Sequence, residues 1–298
     1  MGSGRVRIGI SGWRYARWRG SFYPKDLRQK DELAYAAERF PSVEVNGTFY
    51  SLQAPTSFKS WADQTPKDFI FAVKGPRFIT HMKRLKDVRV PLANFFASGV
   101  LALGPKLGPV LWQLPPSFSF DKERLEDFFK LLPRNVGEAS ALARHHDSKL
   151  KHRAVLSTTG GRIRHALEIR HDSFRNPEFI ALLRRYRIAL VVADTVEWPL
   201  LTDATADFIY VRLHGSRQLY ASGYGSKALD RWANRIRAWT SGREAEGEHA
   251  GPPARPAKRD VYLYFDNDAK VHAPFDALSL IRRLSPRVRR GPGGKVRA

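Results

Sequence analysis

Three charged side chains interrupt short apolar runs of this sequence, and they are its first candidates for chemistry. Glu44 lies within VEV, Glu168 within LEI and Arg212 within VRL. Alternate side chains of a β-strand point to opposite faces, so each charge lies on the face opposite its apolar neighbours. Because a buried charge is costly unless it is paired, the pattern predicts an internal network of Glu44, Glu168, Lys74, Arg170 and Arg212. Carboxylates among cations favour perturbed pKa values and acid–base chemistry.

Polar and aromatic side chains also stand at or just beyond the end of every predicted strand. In a parallel α/β barrel these ends meet at one mouth, where catalytic groups lie. We expect catalytic roles for Glu44, Glu168 and His214. We expect substrate-binding roles for Trp13, Asn46, Lys74, His81, Gln113, Arg170, His171, Asp194, Arg212 and Asn267.

The stretch YVRLHGSRQLYASGYG, which begins at Tyr210, is the most informative local sequence. Its strand delivers Arg212 and His214 to the mouth. Tyr220 and Tyr224 follow in a glycine-containing loop, which predicts a lid that folds over a ligand. These aromatic rings are suited to stacking on a base or a sugar. Ordinary loop packing is the alternative explanation.

Several chemistries fit these residue types. In the favoured one, Arg212, His214, Lys74 and Arg170 bind a phosphate or carboxylate while Glu44 and Glu168 act as general acid and base. In another, a divalent metal is held by imidazole and carboxylate ligands, drawn from His171, His214, Glu168, Asp194 and Asp266. No HxH or HExxH spacing supports a metal, so it stays open but is not favoured. Carboxylates that flank a glycosidic bond, or ions that only neutralise one another, are further alternatives.

Composition narrows the class of protein. The net charge of +22 is of the kind that favours polyanions, phosphorylated substrates or membrane surfaces, but an arginine-rich composition of genomic origin is the stronger alternative explanation. The absence of cysteine excludes disulfides, thiolate nucleophiles and cysteine-based metal sites. No apolar run reaches the roughly 18 residues of a membrane span, and the first residues lack a signal-peptide pattern. We therefore expect a cytoplasmic protein with no membrane partner.

The elements that must position these residues alternate between strands and helices. Short apolar runs predict strands at 6–10, 43–45, 69–73, 110–114, 165–169, 188–193, 208–213 and 261–265. Helical patterns cover 29–40, 56–64, 90–98, 121–131, 177–186, 226–240 and 275–284. Eight such units predict a single TIM-like (β/α)8 barrel of the α/β class. The connection from Asp194 to Asp207 has no convincing helix, which leaves a doubly wound open sheet as the alternative.

The predicted domain organisation is simple. One barrel domain covers residues 1–285, and the Gly/Pro-rich charged segment 241–258 is predicted to be a flexible insertion. The basic tail 286–298 is predicted to be disordered. We expect a monomer or a weak dimer.

Eight segments together resemble the YecE-like family, also known as domain of unknown function 72. They include GISGWRYARWRGSFYP (9–24), FPSVEVNGTFYSL (40–52), FIFAVKGPRFITH (69–81), LGPVLWQLPPSF (107–118), LEIRHDSF (167–174), DFIYVRLHG (207–215), LDRWANRI (229–236) and YLYFDND (262–268). The resemblance implies a TIM-like barrel. It also adds Tyr50 to the expected substrate-binding residues, alongside the strand-end positions already named. The sequence departs from the family pattern at Gly47, Phe174 and Asp266.

These observations predict a barrel enzyme that acts on a phosphorylated or otherwise anionic substrate at the rim. Two other classes stay open. One is a non-catalytic protein that binds nucleic acid through its basic surface. The other is a metal-dependent phosphoesterase or sugar isomerase, which barrel-level similarity to endonucleases and sugar isomerases implies by analogy.

Overall fold

Eight parallel strands close into a barrel in the computed structural model, which describes residues 3–155, 160–215 and 218–285. Each strand pairs with its neighbours in chain order, and the first pairs with the last. The strands are β1 (Val6–Ser11), β2 (Ser42–Val45), β3 (Ile70–Lys74), β4 (Leu107–Gln113), β5 (His165–Glu168), β6 (Ala189–Asp194), β7 (Phe208–Leu213) and β8 (Asp260–Phe265). The closed barrel confirms the predicted (β/α)8 fold and excludes the open sheet.

Helices cover the outside of the barrel. They are α1 (Glu32–Ala37), α2 (Gly47–Tyr50), α3 (Pro55–Asp63), α4 (Arg89–Ala97), α5 (Lys122–Leu131), α6 (Val136–Ala143), α7 (Pro177–Tyr186), α8 (Ser226–Ser241) and α9 (His272–Leu284). All seven predicted helices are present, and the first is shortened because a 3-10 turn occupies Gln29–Asp31. The sequence patterns did not predict α2 or α6. The start of α6 carried a sequence signal, because Asn is a favoured helix N-cap residue. In the structure Asn135 caps α6 by accepting a hydrogen bond from the Glu138 amide at 2.9 Å.

The β6–β7 connection has no helix, as predicted, and packs against part of the 241–258 segment. The Thr202 amide donates to the Glu248 carbonyl at 2.8 Å. The Asp203 carboxylate accepts from the amides of Ala250 and Gly251 at 2.9 and 3.0 Å. The segment thus has fixed hydrogen-bond partners, and its flexibility stays a prediction. The tail 286–298 lies outside the described residues. No helix in the described ranges combines the length and apolarity needed to cross a bilayer.

Different kinds of side chain fill the layer between strands and helices, the lower barrel interior and the carboxyl ends of the strands. Large apolar side chains such as Trp112 and Phe95 fill the space between strands and helices, where burial of each contributes roughly 1.5–3 kcal/mol. Inside the barrel the lower positions are small, aliphatic or tyrosine residues, including Ala72, Leu111, Ala166, Val191, Tyr210 and Tyr264. The strand register then brings polar side chains to one level at the carboxyl ends. It pairs Ser11 with Glu44 and Gln113 with Glu168.

Candidate active site

Arg212 is the centre of a buried ionic network. It is 1% exposed, and its guanidinium contacts three carboxylates. Nε and Nη2 donate to Glu44 at 3.1 and 2.9 Å, Nη1 donates to Glu168 at 2.7 Å, and Nη2 donates to Asp266 at 2.9 Å. The planar guanidinium suits this arrangement because it offers donors along several edges at once. Four of the five residues predicted to form an internal network, Glu44, Glu168, Arg170 and Arg212, are therefore linked, and Asp266 is an additional member.

Glu44 is held by neutral donors as well as by Arg212. Tyr210 Oη donates to Glu44 Oε2 at 2.6 Å, and Ser11 Oγ donates to Glu44 Oε1. Asn46 Nδ2 in turn donates to Ser11 Oγ at 2.7 Å. Both oxygens of the Glu44 carboxylate are therefore occupied, which keeps this fully buried side chain in one orientation.

Glu168 accepts hydrogen bonds from Gln113 at the end of β4, from Arg170 just beyond β5 and from Arg212 on β7. Gln113 Nε2 donates to its Oε1 at 2.8 Å, and Arg170 Nε donates to the same oxygen at 2.9 Å. Burial by itself raises the pKa of this carboxyl, but Arg212 and Arg170 beside it bring that pKa well below its ordinary range. Glu168 is therefore ionised at neutral pH.

Asp266 and His214 complete the network on the β7–β8 side. His214 Nδ1 is hydrogen-bonded to Asp266 Oδ2 at 3.1 Å. Burial raises the pKa of Asp266, whereas Arg212 and the His214 hydrogen bond lower it, and the balance is a pKa of about 2. Two rings hold His214 edge-on, Trp198 at 5.7 Å and Tyr220 at 5.4 Å between centroids.

A cavity of about 810 Å³ opens above this network at the carboxyl ends of the strands. Its lining joins polar strand-end side chains with aromatic and cationic side chains of the loops. The lining residues are Tyr15, Asn46, Phe49, Tyr50, Lys74, Arg77, His81, Met82, Gln113, Arg170, Arg212, Tyr220, Asp266 and Asp268. This cavity is the mouth of the barrel.

Lys74 and Arg77 are two cations of the mouth that have no direct carboxylate partner in the described part of the chain. Lys74 is 8% exposed, and its Nζ lies 4.2 Å from the centroid of the Phe49 ring. Among the residues that the structure describes, neither cation has a carboxylate oxygen within 4.0 Å. Burial and the nearby Arg212 lower the pKa of Lys74 to about 8. Arg77 lies 5.6 Å from the Tyr50 ring centroid.

Arg170 and His81 also line the mouth, but each of them has a side-chain partner. Arg170 is paired with Glu168 and is stacked on Trp198, with Cζ 3.8 Å from the ring centroid. His81 lies in the π-helical turn Phe78–Met82 and shares a hydrogen bond with Thr80 Oγ1 at 2.9 Å. Burial, Arg170 and Lys74 lower the pKa of His81 to about 4, so its ring is neutral at pH 7.

The pKa of Asp268 is shifted in the opposite direction from that of Asp266, the other carboxylate that lines the mouth. Burial and the neighbouring Asp266 raise the pKa of Asp268 to about 6. A carboxyl with this pKa exchanges its proton near neutral pH, as a general acid or base requires. The mouth therefore holds two carboxylates whose pKa values are pushed apart.

The structure brings most of the predicted site residues together and places five elsewhere. His171 accepts a hydrogen bond from the Ser173 amide at 3.1 Å and caps a turn. Asp194 accepts from Trp232 Nε1 at 3.0 Å, and Tyr224 Oη accepts from the Gly215 amide at 3.1 Å. Asn267 donates to the carboxylate of Asp276 at 2.9 Å. Trp13 packs edge-on against Trp61 at 5.3 Å.

Several lining residues were not among those selected from the sequence. Arg77 and Asp268 stand three residues beyond the ends of β3 and β8, among the polar residues that follow these strands, but they were not assigned to the site. Phe49 and Met82 carry no polar group that marks them as site residues. Trp198 does not line the cavity but stacks on the lining residue Arg170, and it belongs to the irregular β6–β7 connection, whose path the sequence pattern leaves open.

The described residues contain no group of three or more His, Asp or Glu side chains arranged to hold a metal ion. His171 and Asp194, two of the ligands considered, make the structural contacts given above. His214 and Glu168 are instead engaged with Asp266 and the guanidinium groups.

A family comparison covers nearly the whole sequence. The sequence model of the family described as "Protein of unknown function DUF72" matches residues 7–295. The UPF0759 protein YunF of Bacillus subtilis (strain 168) is 30% identical over 125 residues, which are 40% of this chain and 43% of YunF. The UPF0759 protein YecE of Escherichia coli (strain K12) is 30% identical over 113 residues, 38% of this chain and 39% of YecE. These matches span about two fifths of each curated relative.

Solved structures extend the likeness to the complete barrel. The crystal structure of a DUF72 family protein from Thermotoga maritima MSB8 has a TM-score of 0.73 and 26% identity, covering 94% of this chain and 99% of that one. A DUF72 family protein from Enterococcus faecalis V583 has a TM-score of 0.66 and 16% identity, covering 94% and 95%, and at that identity shows the fold alone. With the family match spanning all eight strands, the chain belongs to the DUF72 family.

Proposed function

We propose that this barrel is an enzyme that binds a small phosphate- or carboxylate-bearing substrate at its mouth. The observation that carries the proposal is the pair of cations, Lys74 and Arg77, that line the cavity with no carboxylate within 4.0 Å in the described part of the chain. A bound anion would supply the missing counter-charge, and Arg offers it a bidentate fork. Arg170 lines the same cavity and adds a third cation.

The buried network would serve this site by positioning it. Glu44 and Glu168 were expected to be general acid and base, but all four of their oxygens accept hydrogen bonds or ion pairs, and the Glu168 pKa lies well below neutrality. We assign them to holding Arg212 and Arg170 in place. Proton transfer is assigned to Asp268 and Lys74, because their pKa values of about 6 and about 8 bracket neutral pH.

The test is calorimetric titration with inorganic phosphate. The Arg77→Ala variant should bind phosphate about tenfold more weakly or worse, because a hydrogen bond to a charged group is worth roughly 1.5–3 kcal/mol. Arg231→Ala is the matched control, since Arg231 is exposed on the outer helix α8 and its removal also takes away one positive charge. Equal weakening in both variants, or unchanged binding in Arg77→Ala, would refute the anion site.

Nucleic-acid binding is the second candidate, and one surface feature favours it. Tyr50, Phe78 and Met82 are exposed at the edge of the mouth, at 68%, 46% and 66%. Arg77 and Lys83 line the same groove, which has a volume of about 510 Å³. Aromatic faces stack on unpaired bases while cations track the phosphate backbone. Here the barrel would bind a strand without catalysis.

A further inference from the structure

Lys74 occupies a position unlike that of a typical surface lysine. It is the last residue of β3, and its side chain lies on the same face of the strand as the interior residue Ala72. The side chain therefore points into the barrel at the level where the strands open into the mouth. The side chain is more than nine-tenths buried, yet it lines the cavity. In the described residues its amine has no carboxylate partner within 4.0 Å, and it lies over the face of the Phe49 ring.

The surroundings of this amine give it a larger uncharged fraction than an ordinary lysine has. Arg212 repels a second positive charge nearby, and the three carboxylates that attract Lys74 electrostatically, Glu44, Glu168 and Asp266, are already paired with the Arg212 guanidinium. An uncharged amine with a free lone pair is a nucleophile toward carbonyl carbon. Lysines activated by desolvation or by a neighbouring cation are the ones that form Schiff bases in proteins.

We propose that Lys74 is a covalent nucleophile that forms a Schiff base with a carbonyl group of the anionic substrate. This inference rests on the proposed anion site and narrows its substrate to aldehydes or ketones that carry a phosphate or carboxylate. Arg77 and Arg170 would hold the anionic end, and the carbonyl carbon would face Lys74 Nζ.

The chemistry balances without an added oxidant or reductant. The Lys74 nitrogen forms a bond to the carbonyl carbon, and one amine proton is transferred to the former carbonyl oxygen. The resulting hydroxyl group leaves as water after it receives a proton from an acid, while the nitrogen lone pair forms the second bond to carbon and gives a protonated imine. Asp268, a lining residue with a pKa of about 6, is suited to supply that proton. Hydrolysis returns the free amine.

The test uses two carbonyl probes that differ by one phosphate. The wild-type protein is incubated with pyridoxal 5′-phosphate or with pyridoxal, reduced with borohydride, digested and mapped by mass spectrometry. At about pH 7.5 the uncharged fraction of an amine with a pKa of about 8 exceeds that of an ordinary lysine by roughly two orders of magnitude. Lys74 should therefore be labelled at least about tenfold faster than an ordinary exposed lysine and also faster than Lys106, and the Lys74→Arg variant should lose this label.

Lys106 is the matched internal control. Burial also lowers its pKa, but its Nζ donates to the carbonyl oxygens of Ala62 and Thr65 at 2.5 and 2.7 Å, and these acceptors favour its protonated, non-nucleophilic form. The comparison within one wild-type sample does not depend on how any variant folds. Labelling of Lys74 no faster than that of Lys106 overturns the inference.

The two probes separate this inference from the proposed function. Faster labelling of Lys74 by pyridoxal 5′-phosphate than by pyridoxal, with inhibition by inorganic phosphate, supports both. Equal labelling by the two probes supports the nucleophile and refutes the anion site. Slow labelling of Lys74 in a protein that still binds inorganic phosphate through Arg77 refutes the nucleophile alone.

Discussion

Arg212 lines the mouth and also holds three of the carboxylates around it in place. Its guanidinium meets carboxylates from β2 and β5 and the one that follows β8, so three separate strands depend on a single side chain. A lysine would offer one compact charge in place of this planar set of donors. The cost of burying each carboxylate is offset only while the guanidinium is present.

At the residue scale we therefore predict that Arg212→Met strongly destabilises the fold. Removal of one partner from a buried pair typically costs about 3–5 kcal/mol, because it leaves buried charge uncompensated. Urea denaturation monitored by tryptophan fluorescence would measure the change. Arg231→Met, on the exposed face of α8, is the control and should change the free energy of unfolding by less than about 0.5 kcal/mol. Similar stabilities of the two variants would show that the network contributes nothing to the fold.

Asp268 provides a second prediction at this scale, with a defined pH dependence. Its folded pKa of about 6 lies above the unfolded value of about 3.9, so the folded protein binds more protons between these values. Stability from this group therefore falls as pH rises through that window, and the cost persists above it. Asp268→Asn should be more stable than wild type by about 1 kcal/mol at pH 7.5, after allowance for solvent screening.

The advantage of Asp268→Asn should shrink toward zero near pH 4, where the wild-type carboxyl is largely protonated in the folded state. Urea denaturation at both pH values tests this dependence. A pH-independent difference between variant and wild type would contradict the raised pKa. A residue that costs stability at neutral pH is also what a catalytic role for Asp268 predicts.

At the scale of elements, the β6–β7 connection replaces a helix with a segment that serves the site. It places Trp198 between Arg170 and His214, so that Arg170 is fixed by Glu168 on one side and by an indole ring on the other. The same connection is tied to the 241–258 segment through Thr202 and Asp203. The irregular connection is therefore structured, and it supports Arg170, a lining residue of the mouth.

We predict that Trp198→Ala weakens phosphate binding about fivefold, because a cation–π contact of roughly 1 kcal/mol no longer orients Arg170. Trp198→Phe should retain most of the affinity, since the aromatic face remains. Calorimetric titration with inorganic phosphate measures both variants. If both bind as tightly as wild type, Glu168 alone is enough to position Arg170.

Sequence patterns predicted secondary-structure elements best where burial in the core requires apolar residues. Strands such as β6 (Ala189–Asp194) and β7 (Phe208–Leu213) are apolar runs because their outer faces are covered by helices. Short α2 and α6 were missed because four- and eight-residue helices show little periodicity. The side chains of His171 and Asp194 were misplaced for another reason: a strand-end position does not say whether a side chain turns toward the mouth or toward a neighbouring helix.

At the scale of the whole molecule, the net charge of +22 is distributed unevenly. The final stretch 286–298 carries Arg287, Arg289, Arg290, Lys295 and Arg297 without an acid. Many exposed arginines of the barrel are instead paired, as Arg162 is with Asp207. The charge favours non-specific binding to nucleic acid, and the tail and the rim are the two candidate surfaces for it.

Deletion of residues 286–298 distinguishes these surfaces. We predict weaker binding to a single-stranded oligonucleotide, with phosphate binding at the mouth unchanged. The salt dependence should become shallower by about 0.7 for each backbone phosphate that the tail no longer neutralises. Fluorescence anisotropy across a salt series measures oligonucleotide affinity and its salt dependence, and calorimetry measures phosphate binding. Oligonucleotide binding that survives deletion but is abolished in Tyr50→Ala would place it at the rim and favour the second candidate function.

The amino-acid sequence by itself determined the class of fold and the level at which the polar side chains lie. Apolar runs separated by helical periods specify parallel strands, and the alternation within VEV, LEI and VRL turns Glu44, Glu168 and Arg212 inward, because a strand has a period of two. Only the tertiary structure decided which charges neutralise one another. Closure of the barrel brought Arg212 onto three carboxylates and left Lys74 and Arg77 without one in the described part of the chain. Such pairing depends on distances across the barrel that no local pattern encodes.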